Sequence, residues 1–249
     1  MISRRAELSV NLAAVRERVT AAALDCGRDP GELTLVVVTK YFPAADVRLL
    51  WELGVRDFGE NRDQEAGPKF QAVRAGDLTP TVHFIGQLQS NKAASVAAYA
   101  DVVHAVDRAR LVHALEAGAA RAHRRLRVLV QVDLDTRDHP SATDAPSAAA
   151  AGPAGRGGAH PAQLAQLAAL IEAAEHLSLS GLMAVAPLGV DPQEAFAELH
   201  ELAERLRADH PQARWLSAGM SGDLEAAVRH GATHLRVGTA ILGSRPALR

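Results

Sequence analysis

Apolar and polar positions along this chain fall into blocks whose spacing switches between the periods of strands and helices. The clearest block covers residues 33–40, LTLVVVTK, a β-branched apolar run that ends in Lys40. A continuous apolar run is typical of a strand covered on both faces, as in a parallel sheet. Seven more strand candidates follow, at 55–59, 82–86, 102–106, 128–132, 179–185, 214–217 and 234–239.

Helical patterns separate these strand candidates. An amphipathic helix is predicted over residues 3–24, and another begins after Pro43. A helix interrupted at Gly67-Pro68 and one capped by Asp107 and running to about His123 follow. Later helices are predicted at 161–176, from near Pro192, and in a short segment ending at Gly231.

Eight alternations of strand and helix in 249 residues predict an α/β fold, a single (β/α)8 TIM barrel spanning residues 1–249. A doubly wound sheet is the alternative, although it usually has fewer strands. Few residues follow the last strand, so we expect the N-terminal helix to cover the gap left by a short eighth helix. Residues 138–160 are mainly Ala, Gly, Pro and Ser, and they predict a flexible insertion within the domain.

Composition narrows the classes of function. A formal charge of −2, with no basic patch alternating with aromatic residues, argues against a nucleic-acid binder. No apolar segment suggests a signal peptide or a membrane span. The single cysteine, Cys26, is compatible with a reducing cytoplasm. We therefore expect a cytoplasmic protein and a monomer, and the spacing of the histidines predicts no metal site.

Lysine is rare, since only Lys40, Lys69 and Lys92 occur among 27 basic residues. A lysine kept in so arginine-rich a chain suggests a task that a guanidinium cannot perform, chiefly losing a proton and attacking a carbonyl to form a Schiff base. Lys40 is the candidate because the ends of barrel strands carry the working groups. Lys69 is expected at the surface, and Lys92, at a helix start, either attracts phosphate or is solvated.

Small residues follow the last two strands, at 217–222 and at Gly238-Thr239. These positions commonly bind phosphate in barrels, and a helix beginning near Ser221 would direct its positive end at an anion. Arg236, next to them, could hydrogen-bond a pyridine nitrogen and keep it unprotonated. A lysine with a phosphate site fits pyridoxal 5′-phosphate (PLP) or the phosphorylated substrate of a Schiff-base aldolase.

Six motifs together resemble the pyridoxal phosphate homeostasis protein family. They are VTK at 38–40, FGEN at 58–61, HFIGQLQSNK at 83–92, GLM at 181–183, SAGMS at 217–221 and RVGTAILG at 236–243. The resemblance implies a barrel like the N-terminal domain of alanine racemase, with PLP held on Lys40. It implies a cofactor site made of Lys40, Asn61, His83, Met183, Ser217, Ser221, Gly222, Arg236, Gly238 and Thr239.

Three functions remain open at this point. The resemblance implies a binder without assigned catalytic residues that buffers PLP or delivers it to PLP-dependent apoenzymes. A PLP-dependent racemase or a related fold-type III enzyme is the alternative, and Tyr41 would be its candidate second acid or base. A Schiff-base aldolase without cofactor is the third, and it would be colourless where a PLP protein is yellow.

Overall fold

The computed structural model describes residues 3–135 and 157–244, and these form a closed parallel barrel. Each strand pairs with the next along the chain, and the eighth pairs with the first. The single (β/α)8 barrel predicted from the sequence is confirmed. The strands are β1 Thr34–Val38, β2 Asp57–Glu60, β3 Thr81–Phe84, β4 Val102–Val106, β5 Leu126–Gln131, β6 Leu177–Met183, β7 Trp215–Ser217 and β8 His234–Val237.

Helices cover the outside of the barrel, and their apolar faces pack on outward-facing strand residues such as Phe58 and Phe84. Single 3-10 turns occur at Pro30–Glu32, Ser90–Lys92 and Pro161–Gln163. The described α-helices are α1 Arg4–Asp25, α2 Ala44–Glu52, α3 Asp63–Arg74, α4 Ala93–Tyr99, α5 Ala109–Arg121, α6 Leu164–Glu172, α7 Pro192–Asp209, α8 Leu224–Arg229 and α9 Thr239–Leu242.

The N-terminal helix closes the outer layer, as predicted. Within the described residues, β8 is followed by the four-residue helix α9 and no longer helix, and α1 packs against α8, α9 and α2. The stripe Leu8, Leu12, Val15 and Val19 is buried at 7 % exposure or less. A polar contact also holds α1 against α9, since the Asn11 side chain donates to the Ile241 carbonyl at 3.0 Å.

The predicted interruption of α3 is wrong, because the helix runs through Gly67-Pro68 without a break. Proline in a helix loses one backbone hydrogen bond and crowds the carbonyl four residues earlier. Here Ala66, Phe70 and Val73 bury a continuous apolar face, and Gly67 lies against the Tyr99 ring. Burial of this face against the barrel outweighs the local cost of Pro68.

Two helix starts also differ from the prediction. Helix α5 begins at Ala109 with Arg108 at its cap, because the Asp107 carboxylate pairs with Arg108 instead of capping the helix. Helix α8 begins at Leu224 and not near Ser221. A turn occupies the residues before it, in which the Met220 N–H donates to Asp223 at 2.6 Å.

The flexible insertion predicted at 138–160 lies largely outside the described residues. Of its last residues, Ala159 pairs with Val132 and donates its N–H to Gln131 O at 2.7 Å, and His160 opens the turn before α6. Across 3–135 and 157–244, we find no helix that combines the length and the apolar character needed to cross a membrane.

Candidate functional site

Lys40 stands just beyond the carboxyl end of β1, with neighbouring strands ending on both sides. Val38 pairs with Gly59 on β2, and Lys40 and Asn61 each follow that pair by two residues, just beyond the ends of their strands. On the other side Gly238 packs tightly on β1, because a Cβ at that glycine would lie 3.1 Å from the Val38 carbonyl oxygen. The register therefore gathers Lys40, Asn61 and Gly238 at one edge of the barrel.

The turn that carries Lys40 is held from behind by a buried lysine. Lys69 is only 7 % exposed, so its predicted surface position is wrong. Its Nζ donates to the Thr39 carbonyl at 2.9 Å, to Glu60 at 2.7 Å and to Glu65 at 2.9 Å. Three acceptors surround the amine, which explains how α3 can bury a cation.

Lys69, Thr39, Glu60 and Glu65 form one cluster, and Glu65 connects it to the residue that follows Lys40. Its carboxylate accepts the backbone N–H of Tyr41, which has a φ of 71°, a left-handed conformation uncommon for tyrosine. The residues before and after Lys40 are thus both tied to Lys69, one directly and one through Glu65. This arrangement fixes the direction in which the chain turns at Lys40.

Glu60 is fully buried and belongs to the same cluster. It accepts from the Thr39 hydroxyl at 2.8 Å as well as from Lys69. Burial raises the pKa of its carboxyl, and the charge of Lys69 opposes that shift. The second carboxylate oxygen, Oε2, is buried without a hydrogen-bond partner in the part of the chain that the structure describes.

Asn61 has a buried side-chain oxygen that also lacks a partner within the described residues. Its backbone position is fixed, because a Cβ on Gly86 would lie 2.5 Å from the Asn61 carbonyl oxygen. Leaving a buried acceptor unpaired costs about 1–3 kcal/mol. A donor on a molecule bound beside Lys40 would satisfy it.

Arg236 lies inside the barrel on β8 and is 5 % exposed. Its guanidinium donates to the Ser217 hydroxyl at 2.7 Å and to the Ala184 carbonyl at 2.9 Å. Burial lowers its pKa to about 10, so the group still carries its charge at neutral pH. It can only donate hydrogen bonds, and only two of its five N–H groups are used in these contacts.

His83 lies in the barrel interior, and both ring nitrogens contact other side chains. Nδ1 is 2.9 Å from His104 Nε2, and Nε2 is 3.0 Å from Asp57 Oδ1. His104 in turn places Nδ1 2.9 Å from the Ser217 hydroxyl. The sequence motifs point to neither His104 nor Asp57. The signal was available, because residues that face inward on their strands alternate with residues that face the helices.

The other predicted site residues lie at the carboxyl ends of β6, β7 and β8. Met183 is buried within the interior apolar cluster, and Ser221 is half-buried. Gly222 and Thr239 are exposed, and Thr239 is the first residue of α9. The structure places eight of the ten predicted residues at or beyond the carboxyl ends of strands, while His83 and Arg236 lie within β3 and β8.

Two cavities, of about 500 and 240 Å³, lie at the amino ends of the strands, around Thr81 and Thr34. No group of three His, Cys, Asp or Glu side chains in 3–135 and 157–244 is arranged to hold a metal ion. The chemistry that the strand ends offer is therefore an amine, an arginine and small-residue turns.

Known proteins resemble the chain over almost its whole length. The model for the alanine racemase N-terminal domain matches residues 10–246. The pyridoxal phosphate homeostasis protein of Mycobacterium tuberculosis (strain H37Rv) is 43 % identical over 256 residues, covering 97 % of this chain and 94 % of that protein. The protein of that name from Escherichia coli (strain K12) is 35 % identical over 247 residues, covering 96 % and 97 % respectively.

A solved relative has the same fold. PipY of Synechococcus elongatus PCC7942, determined with PLP bound, is 33 % identical and superimposes with a TM-score of 0.75, covering 95 % of this chain and all of that one. These matches extend from the first helix to the last and include every strand of the barrel. The chain belongs to the pyridoxal phosphate homeostasis protein family, within the wider group that shares the alanine racemase N-terminal domain.

Proposed function

We propose that this protein binds pyridoxal 5′-phosphate as a Schiff base on Lys40 and takes part in PLP homeostasis by buffering or delivering the cofactor. Relatives at 35 % and 43 % identity carry the name pyridoxal phosphate homeostasis protein, and PipY was solved with PLP bound. The proposal extends that binding to this chain and assigns residues to it.

The register of β1 and β8 supports one orientation for the cofactor. Val36 pairs with Arg236, so Lys40 lies four residues further towards the carboxyl edge. The two strand residues from Val36 to Val38 rise about 7 Å, and the turn after β1 carries Lys40 beyond them. A lysine side chain followed by a pyridine ring covers such a span, with the ring nitrogen directed to Arg236. The phosphate then lies towards Ser221, Gly222, Gly238 and Thr239.

Asn61 and His83 take different parts in the proposal. Asn61 follows β2 at the same edge as Lys40, and its side-chain oxygen, which has no partner within the described residues, is suited to a donor on the bound cofactor. His83 already uses both ring nitrogens within the protein, so its influence on the cofactor would pass through other residues. Met183 and Ser217 would form the inner boundary of the site.

The proposed linkage is a simple condensation. The neutral amine of Lys40 attacks the aldehyde carbon, a C=N bond forms, and the aldehyde oxygen leaves as water. PLP supplies the ability to withdraw electrons from a bound amino acid, which depends on a protonated ring nitrogen. Arg236, charged at neutral pH, can donate to that nitrogen but does not give up its proton, so it limits this ability. A binder that stores cofactor fits this better than an efficient catalyst.

The observation that carries the proposal is the convergence of Lys40, Asn61 and Gly238 at one edge, with Arg236 deeper on the same strand pair. A titration of cofactor-free protein with PLP, followed by visible absorbance, tests it. After unbound PLP has been removed by gel filtration, wild type should retain a yellow band that borohydride bleaches, and Lys40→Ala should not. A reducible band of equal strength in Lys40→Ala would refute the assignment.

We propose a cytoplasmic monomer that passes PLP to dependent apoenzymes; the single cysteine supports the compartment. The racemase alternative would use Tyr41 beside Lys40. An assay with common amino acids and PLP-loaded protein separates the two, since a buffering protein should racemise none of them at an enzymatic rate.

A further inference from the structure

A line of polar side chains crosses the barrel interior from Arg236 to Asp57. Its links are Arg236 Nη1 to Ser217 Oγ at 2.7 Å, Ser217 Oγ to His104 Nδ1 at 2.9 Å, His104 Nε2 to His83 Nδ1 at 2.9 Å and His83 Nε2 to Asp57 Oδ1 at 3.0 Å. Contributions come from β8, β7, β4, β3 and β2 in turn. We call this set the interior relay.

Elementary donor and acceptor rules give the relay a direction. An ionised Asp57 only accepts, so His83 Nε2 carries a hydrogen, and in neutral His83 Nδ1 is then an acceptor. His104 must donate to it from Nε2, which leaves His104 Nδ1 to accept from the Ser217 hydroxyl. Arg236 supplies the first N–H. Every hydrogen therefore points from the guanidinium towards the carboxylate.

The reverse arrangement is less satisfactory. It requires a charged His83, buried at 1 % exposure and 6.1 Å from the ring of His234, and a His104 that donates from Nδ1 to Ser217. Ser217 would then accept from both His104 and Arg236. Burial and the neighbouring His83, Arg236 and His234 lower the pKa of His104 well below its usual value, so His104 itself stays neutral.

Charge explains what the relay contributes. Arg236 is almost fully buried and has no carboxylate within 4.0 Å in 3–135 or 157–244, and the carboxylate whose charge acts on it is that of Asp223. Asp57 is 27 % exposed and lines the cavity of about 240 Å³ at the amino end of the barrel. Aligned hydrogen bonds polarise one another in a low-dielectric interior. The relay thus connects a buried cation to a carboxylate that reaches the opposite end of the barrel.

We propose that Asp57 is a positioning residue for Arg236 and acts through this one-directional relay to hold the guanidinium where the cofactor ring nitrogen binds. The relay itself is independent of the proposed function, and only its effect on the ring nitrogen depends on PLP binding. Neither histidine touches the cofactor in this arrangement.

The first test reads the histidine tautomers directly in cofactor-free wild type. Protein labelled with ¹⁵N-histidine is recorded by long-range ¹H–¹⁵N correlation, and single His→Gln variants of the other nine histidines assign the His83 and His104 signals by elimination. We expect His83 and His104 both to carry their hydrogen on Nε2. A hydrogen on His104 Nδ1 would overturn the proposed direction, and this reading needs no variant of the relay to fold.

The second test breaks and restores the far end of the relay. Asp57→Ala removes the last acceptor, so we expect the His83 and His104 tautomers to change and PLP affinity to fall roughly two- to tenfold, the worth of one hydrogen bond. Asp57→Asn keeps an acceptor oxygen and should retain the wild-type tautomers with smaller loss of affinity. Asp101→Ala, a carboxylate of similar exposure (31 %) paired with Arg74 and Arg124, is the matched control and should alter neither.

The outcomes separate this inference from the proposed function. Wild type that fails to bind PLP refutes the function, while the tautomers still decide the relay. Unchanged tautomers in Asp57→Ala, or an equal change in Asp101→Ala, overturn the role of Asp57. If Asp57→Ala changes the tautomers as expected but leaves PLP affinity and absorbance unaltered, the influence of Asp57 on the cofactor is refuted.

Discussion

Replacing Lys69 with methionine should strongly destabilise the fold, because it leaves a buried carboxylate without its cation. Glu60 is 0 % exposed and Lys69 is 5 % exposed at the side chain, with 2.7 Å between Nζ and Oε1. Removing one partner of such a pair typically costs 3–5 kcal/mol. Glu65 is 26 % exposed and remains partly solvated, so most of the cost arises at Glu60.

The pH dependence follows from the carboxyl of Glu60. Burial raises its pKa above the ordinary 4.5, so protonation favours the folded state and ionisation at higher pH costs stability. Without Lys69 that cost is uncompensated. The stability difference between wild type and Lys69→Met should therefore be smaller at pH 5 than at pH 8.

A double-mutant cycle isolates the pair. Glu60→Gln removes the charge but leaves Lys69 its contacts with Glu65 and the Thr39 carbonyl, so we expect a loss of about 1–3 kcal/mol. The double variant should lose clearly less than the sum of the two single losses.

Urea unfolding followed by circular dichroism at pH 5 and pH 8 measures all three variants, with Lys92→Met as the lysine control. A loss below 1 kcal/mol in Lys69→Met, or additive effects in the cycle, would refute the reasoning.

Two further changes test the fold. Gly181→Ala should prevent normal folding, since a Cβ there would lie 1.8 Å from the Trp215 carbonyl oxygen and Gly181 has a φ of 150°. Gly76→Ala is the control in the same urea assay and should be nearly neutral, because the nearest atom to its Cβ would be 3.6 Å away. Pro68→Ala should stabilise the protein by about 1 kcal/mol by restoring a backbone donor within α3, and a net loss would show that the ring packs favourably.

Strands such as β1 and β4 were predictable because each is a mainly apolar, buried run, and such runs differ clearly from the helical pattern between them. The end of β1 illustrates this, since the run before Lys40 stops at the barrel edge. The break expected at Pro68 was wrong because a local rule was applied where tertiary packing decides. Burial of Phe70 and Val73 depends on the barrel surface, which the sequence of α3 alone does not describe.

The surroundings of Lys40 were less predictable than its position. Lys69 looked like a surface residue because its partners Glu60 and Thr39 lie outside its helix. The spacing of residues within α3 does not predict those contacts. The interior relay was missed for a similar reason. His104 and Asp57 face inward on separate strands, and their contact with His83 depends on the stagger between strands.

The central claim is that one amine, that of Lys40, holds the cofactor. PLP-loaded wild type should be reduced with borohydride, digested and sequenced by tandem mass spectrometry. The chain has only three lysines, so the site of the reduced pyridoxyl group is unambiguous. We predict the modification on Lys40 at close to one group per chain; its presence mainly on Lys69 or Lys92, or an unmodified Lys40, would contradict the account.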